Sequence, residues 1–270
     1  MTPLRTALLQ GPGGVPGSTA DSLAALDRAA ARAAAAGARL LVASELYLTG
    51  YALGERVAEL AEPAGGPGAA AVARIAAERG IAIAYGYPER AGERVYNSVQ
   101  LVGPDGDRLA NYRKTHLYGP YEKARFTPGE TPVVQADLDG VRVGMLVCYD
   151  VEFPEAVRAH ALAGTELLLV PTALMRPYEV VAETLLPARA LESQLYIAYA
   201  NRCGTEGEGG DAVSFTGLSC LAAPDGTVRA RAGAGEDLIT ADVDPALLKA
   251  SRADNPYLRD RRPELYASLV

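Results

Sequence analysis

A carboxylate, an ammonium and a thiol each stand at the end of a short apolar or strand-like run in this sequence. Glu45 follows Leu40-Leu-Val-Ala43 and Ser44, Lys114 closes Leu109-Ala-Asn-Tyr-Arg113, and Cys148 follows Val143-Gly-Met-Leu-Val147. A soft nucleophile, an acid or base and a cation suffice together for acyl transfer through a thioester. Each also has an ordinary explanation. A free cysteine is at home in a core, a glutamate can be salt-bridged or solvated, and an edge lysine is usually exposed. What favours chemistry is position, because sites collect at strand ends in open α/β sheets. A carboxylate at the end of a buried strand is costly unless it is used or paired.

Pro154 lies just beyond Cys148 and suits a first helical turn, so a helix is expected to begin near Glu152 or Phe153. A thiol between strand end and helix start would face free backbone N–H groups and the positive end of the helix dipole. Both favour thiolate, and both can hold an oxyanion. Strand alternation puts Ala110, Tyr112 and Lys114 on one face, so an inward lysine could neutralise developing negative charge. Glu122, in the loop from His116 to Phe126, could position water or orient Lys114. Cys203 and Cys220 read as core residues, and His116 and His160 as structural histidines.

These side chains need a scaffold, and short apolar runs alternating with Ala-rich amphipathic stretches predict an α/β one. Strands are expected at Leu4–Gln10, Leu40–Ala43, Ile81–Gly86, Val141–Val147, Glu166–Val170, Tyr196–Ala200 and Asp237–Val243. Helices are expected at Ala20–Ala36, capped by Ser18 or Thr19 and stopped by Gly37, and at Ala69–Arg79, Glu155–Ala163 and Val181–Gln194. Pro104-Asp-Gly106 and Pro224-Asp-Gly226 each sit between strand-like arms and read as hairpins. Hairpins in both halves of a βαβ scaffold suggest a mixed sheet in each of two stacked layers. With no internal linker, residues 1–270 read as a single domain. The tail from about residue 246 is expected to pack on a partner subunit, since Tyr257, Leu258 and Leu265 need apolar cover.

Composition narrows the partners. A net charge of −7 argues against a phosphate-tracking nucleic-acid binder, and the small basic cluster Arg259–Arg262 is diluted by Asp260 and Glu264. No run approaches the ~20 apolar residues of a membrane span, and the N-terminus has no signal-peptide pattern. Three cysteines and two histidines fit no zinc spacing, so no metal is expected, and free thiols suit a reducing cytoplasm.

Taken together, the residues resemble the nitrilase, or carbon–nitrogen hydrolase, superfamily. The stretches that carry the resemblance are Ser44-Glu45-Leu-Tyr-Leu-Thr-Gly-Tyr51, Tyr112-Arg-Lys114-Thr-His-Leu117, Arg125-Phe-Thr-Pro-Gly129 and Cys148-Tyr-Asp-Val-Glu-Phe-Pro-Glu155. Val170-Pro-Thr172, Arg189-Ala-Leu-Glu192 and Asn201-Arg-Cys-Gly204 follow in the family's order, so the likeness covers nearly the whole chain. It implies a four-layer αββα sandwich of two mixed sheets, a homodimer or higher homo-oligomer, and no cofactor. It also implies Glu45 as general base, Lys114 as oxyanion stabiliser, Cys148 as nucleophile and Glu122 as the second glutamate.

Within the superfamily, Tyr85-Gly-Tyr-Pro-Glu-Arg90, Tyr96-Asn-Ser-Val-Gln-Leu101 and Asn111-Tyr-Arg-Lys-Thr-His-Leu117 resemble bacterial aliphatic amidases of the 5-aminopentanamidase type. The loop Gly119–Arg125 departs from that type. The expected reaction is hydrolysis of a small linear carboxamide to carboxylate and ammonia, with 5-aminopentanamide as a candidate substrate. Alternatives are hydrolysis of an N-carbamoyl amine, nitrile hydrolysis and a catalytically silent binding protein. Nitrilases of the family typically show Cys-Trp-Glu where this chain has Cys148-Tyr-Asp150, and the silent protein would lack a triad member. Tyr118, Tyr121, Tyr149, Glu152, Thr172 and Ala173 are the expected pocket linings, although Glu152 could equally cap its helix.

Overall fold

The computed structural model describes residues 2–207, 209 and 212–266. In chain order the first strands are β1 (Leu4–Gln10), β2 (Leu40–Val42), β3 (Ala82–Ala91), β4 (Arg94–Val102) and β5 (Arg108–Arg113). Then come β6 (Gln135–Leu138), β7 (Val141–Met145), β8 (Leu167–Pro171) and β9 (Tyr196–Ala200). The last are β10 (Thr205–Glu206), β11 (Val213–Ser214), β12 (Cys220–Ala222), β13 (Val228–Arg231) and β14 (Asp237–Val243). The helices are α1 (Thr19–Ala35), α2 (Arg56–Leu60), α3 (Pro67–Arg79), α4 (Gly119–Arg125), α5 (Pro154–Leu162), α6 (Leu186–Ser193), α7 (Pro245–Asp254) and α8 (Tyr257–Asp260).

Two six-stranded mixed sheets form, in the orders β14-β1-β2-β3-β4-β5 and β13-β12-β9-β8-β7-β6. Each has a parallel centre, β1-β2-β3 or β7-β8-β9, extended by antiparallel strands. The two Pro-Asp-Gly turns join β4 to β5 and β12 to β13, with Gly106 at φ +86° and Gly226 at φ +79°. That left-handed conformation is the one glycine adopts without steric cost.

Side-chain alternation explains the layers. Leu4, Leu8, Leu40, Val42, Ala82 and Ala84 point from the first sheet into a core shared with Val143, Met145, Leu167 and Leu169, which share one face of the second. Their neighbours Ala7, Leu9, Leu41, Ala43, Ile83 and Tyr85 point the other way, against Leu26, Ala30 and Ala33 of α1 and Val72 and Ala76 of α3. On the far side of the second sheet, Val157 and Ala161 of α5 and Leu186 and Ala190 of α6 join the central cluster. The result is the expected four-layer αββα sandwich.

Local rules set the helix ends. Ser18 caps α1 by accepting from the Asp21 N–H (3.2 Å), and Gly80 closes α3 in the left-handed conformation. Glu122, expected in a loop, lies on the short helix α4. There Pro120 occupies the first turn, where its missing N–H costs nothing. Part of the tail packs within the chain. Leu248 and Ser251 of α7 are buried within the chain, and Gln194 Nε2 donates to the Ser251 carbonyl (3.0 Å). Leu258 packs on the central cluster, whereas Tyr257, Leu265 and Tyr266 are exposed. Residues 267–270, which also belong to the expected partner-facing tail, lie outside the described residues.

Candidate active site

Every expected catalytic side chain except Glu122 sits just past a strand. Glu45 lies beyond β2, Lys114 follows β5, Cys148 follows β7 after two residues, and Thr172 and Ala173 follow β8. The chain after β2 passes so close to β3 that a Cβ on Gly86 would come within 2.4 Å of the Leu46 nitrogen. Only glycine permits this approach, so Gly86 helps set where Glu45 begins. Leu46 (φ +48°) and Cys148 (φ +46°) both hold the left-handed conformation without being glycine. Such strain costs on the order of 1–3 kcal/mol and survives where surroundings over-determine it.

The charged groups meet directly. Lys114 Nζ donates to Glu45 Oε1 (2.7 Å) and to Glu122 Oε1 (2.8 Å), and all three side chains are buried. Asn97 Nδ2 also donates to Glu45 Oε1 (2.7 Å). The other Glu45 oxygen, Oε2, has no partner among the described residues. Glu122 is fixed further by the Tyr51 hydroxyl on Oε1 (2.8 Å) and the Tyr118 N–H on Oε2 (2.8 Å). A buried carboxylate with an unoccupied oxygen can accept a proton without first breaking a bond.

The electrostatics correct one expectation. Cys148 was expected to be biased toward thiolate, yet its thiol is pushed well above the ordinary cysteine value. Burial is the largest cause, the Glu45 charge adds to it, and Lys114, the Thr172 hydroxyl and the Ala173 N–H oppose it. The physical reason is local. Cys148 opens a 3-10 turn, Cys148–Glu152, and α5 starts only at Pro154, so the thiol does not sit at the helix terminus. Burial likewise raises Glu45, partly offset by Lys114. For Lys114, burial alone would lower the ammonium pKa, but Glu45 and Glu122 outweigh it and hold it well above its usual range. The arrangement therefore favours a neutral thiol beside a charged ammonium.

A cavity of about 80 Å³ opens onto this group, lined by Tyr51, Tyr118, Cys148, Tyr149, Glu152 and Ala173, with Leu174, Met175 and Tyr178 closing it. Tyr118, Tyr149, Glu152 and Ala173 thus line this cavity; Tyr121 does not. It lines a wider adjoining cleft, and its hydroxyl accepts from the Leu53 and Gly54 N–H groups (3.1 and 3.0 Å). Thr172 is buried next to Ala173, its hydroxyl donating to the Tyr199 hydroxyl (3.1 Å). Glu152 does not cap its helix: α5 begins after Phe153 with no side-chain cap bond. Cys203 and Cys220 are buried, as expected of core residues. His160 is also buried, beside Thr165, and held down to about 4 by burial.

Sequence reading missed several supports. Asn97 sits on β4 with apolar neighbours, and an amide in such a strand signals an inward polar partner. Arg202 and Glu206 form a buried pair. Arg202 Nη1 donates to the Glu45 carbonyl (3.1 Å), and Glu206 Oε2 accepts from the Tyr51 and Ala52 N–H groups (2.7 and 3.0 Å). Together they pin the loop between Glu45 and Tyr51. Among the described residues, no group of three or more His, Cys, Asp or Glu could hold a metal ion, and no helix is long and apolar enough to cross a membrane.

Comparison with known proteins points one way. A carbon–nitrogen hydrolase family model matches residues 5–253. A protein of Pseudomonas protegens, named hydrolase in pqqF 5'region, is 51% identical over 86% of this chain and 81% of its own length. An (R)-stereoselective amidase of Pseudomonas sp is 41% identical over 83% of this chain and 79% of its own. In three dimensions, a double mutant of the amidase from Nesterenkonia sp. AN1, solved with acrylamide, matches with a TM-score of 0.88. That match is 37% identical and covers 99% of this chain and 97% of the other.

Proposed function

This chain belongs to the carbon–nitrogen hydrolase family and is a hydrolytic amidase, and from that premise we propose that it cleaves short linear carboxamides through a thioester on Cys148. The observation that carries this reading is the Glu45–Lys114–Glu122 cluster beside a half-buried thiol that lines the cavity, with Glu45 Oε2 unpartnered among the described residues. Glu45 removes the thiol proton as Cys148 Sγ attacks the amide carbon. The carbonyl oxygen becomes an oxyanion, held by Lys114 Nζ and the backbone N–H of Tyr149. As the C–N bond breaks, protonated Glu45 returns its proton to the departing nitrogen, and ammonia leaves. A water then loses a proton to Glu45 and attacks the thioester carbon, with Glu122 holding Lys114. The C–S bond breaks, the thiolate regains its proton, and the carboxylate product departs. A raised thiol pKa suits this sequence, since the proton is needed for ammonia and is released only when the base is engaged.

The small cavity, with Tyr51, Tyr118, Tyr149 and Tyr178 in its walls, supports a short, unbranched acyl group. Glu152 supports something finer. Its side chain makes no hydrogen bond or ion pair among the described residues, and burial raises its pKa, opposed by Lys114 and Arg189. Such a carboxylate beside the Tyr118 and Tyr149 rings suits a terminal ammonium, as in 5-aminopentanamide. The test is ammonia release from 5-aminopentanamide, pentanamide, an N-carbamoyl amine and a nitrile, with Cys148→Ala as control. Faster turnover of the amino-terminated amide, lost in Glu152→Gln, is expected. Equal rates on the two amides would end the ammonium reading. Ammonia from the nitrile alone would end the amide reading.

The proposal takes residues 1–270 as one catalytic domain working in the cytoplasm as a homodimer. Exposed Leu162 and Val180 on the α5–α6 side, together with Tyr257 and Leu265, support a subunit contact there. A monomer by sedimentation at micromolar concentration would refute it.

A further inference from the structure

Lys114 and Cys148 follow strands of different sheets, so no backbone ladder sets the distance between them. Four hydrogen bonds join the segment 112–116 to the segment 147–150, and all four end on one side chain. Asp150 accepts from the Tyr112 hydroxyl (2.9 Å), the Thr115 hydroxyl (2.9 Å), the His116 N–H (2.8 Å) and, in the tautomer that donates, His116 Nδ1 (2.8 Å). It is wholly buried. The same carboxylate also closes the turn that carries the thiol. Its Oδ2 accepts from the Val147 N–H (3.1 Å), and its own N–H donates to the Val147 carbonyl (3.1 Å). Cys148, between them, is the residue held at φ +46°.

We propose that Asp150 is a positioning residue for the reaction, a carboxylate clamp that holds the Lys114-bearing and Cys148-bearing loops at reacting distance. The inference rests on the thioester reading above. A carboxylate is required because it only accepts, and here it accepts on both oxygens. Oδ1 serves Thr115 and His116, and Oδ2 serves Tyr112 and Val147. An amide has one accepting oxygen. Whichever way it faces, its NH2 group meets a backbone N–H, of His116 or of Val147, and one loop is released. His116 strengthens the clamp from outside, since its ring stacks on Phe153 with centroids 4.0 Å apart.

The test is Asp150→Asn, measured as turnover per folded molecule, with the folded fraction taken from near-ultraviolet circular dichroism, so that unfolded protein does not enter the rate. Loss of placement by a fraction of an ångström to one ångström lowers rates by up to on the order of a hundredfold. We therefore expect kcat per site to fall about 10- to 100-fold with KM little changed. Leu4→Ala, a core truncation far from the site's residues, should lower thermal stability and leave kcat per site intact. Where Asp150→Asn does not fold, Thr115→Val and Tyr112→Phe each remove one strap. Each should lower kcat per site, and the pair should lose less than the product of the single losses. Unchanged kcat per site in Asp150→Asn, or in both strap variants, overturns the clamp. Activity persisting in Cys148→Ala would instead overturn the thioester reading, so the two failures are distinguishable.

Discussion

Replacing Lys114 with methionine separates two things the lysine does. It pairs with two buried carboxylates, and in the proposed reaction it holds the oxyanion. Nζ lies 2.7 Å from Glu45 and 2.8 Å from Glu122, with all three groups inaccessible to water. Removing one partner of a buried pair costs roughly 3–5 kcal/mol, because a charge is left uncompensated. For a chain of this size that lowers the melting temperature by roughly 6–20 °C. Loss of a preorganised oxyanion donor costs a further ~2.7–4 kcal/mol of transition-state stabilisation, or about 10²–10³ in kcat. Adding Glu122→Gln removes one orphaned charge while leaving an oxygen for the Tyr51 hydroxyl or the Tyr118 N–H. The double variant should regain a substantial part of the lost melting temperature and almost none of the turnover. Differential scanning calorimetry and ammonia release, run on the same samples, read both. If turnover returns with stability, Lys114 is structural and the oxyanion assignment is wrong.

Two pH effects follow from burial. Glu45 must be ionised to act as base, and burial raises its pKa, so its active form is lost on acidification earlier than for an ordinary glutamate. The acid limb of kcat/KM should therefore lie above the ordinary value of 4.5, and a limb at or below it would contradict the assignment. His160 is held at about 4 in the fold against 6.5 when exposed, so between those values the unfolded chain binds more protons. Stability should fall as pH drops from 6.5 to 4, by on the order of 3 kcal/mol from this residue. Urea unfolding at the two pH values should show that loss shrinking in His160→Gln, and an identical loss in both proteins would contradict it.

Much of the scaffold was legible because its signals are local. Continuous apolar runs such as Leu40–Val42 mark strands covered on both sides, and Ser18 and Gly37 bracket α1. The candidate nucleophile, base and cation were visible as misfits, polar groups at apolar strand ends. Their supports were not, because they are defined by partners far away in sequence. Asn97 earns its place through Glu45, Arg202 through the Glu45 carbonyl, and Asp150 through His116. The close approach of β7 to α5 was equally invisible: a Cβ on Gly144 would meet His160 Nδ1 at 2.4 Å. The thiol's protonation was misjudged for a related reason. Pro154 gave the start of α5 within two residues, but whether the sulfur faced that terminus depended on the intervening 3-10 turn.

The central claim is a covalent bond between Cys148 and the acyl group of the substrate. Acid quench during turnover of a short linear amide, followed by peptide mass analysis, examines it directly. The segment carrying Cys148 should gain the mass of the acyl group, the adduct should be discharged by hydroxylamine, and Cys148→Ala should release no ammonia. Ammonia release by Cys148→Ala at a rate near that of the parent protein would contradict the account.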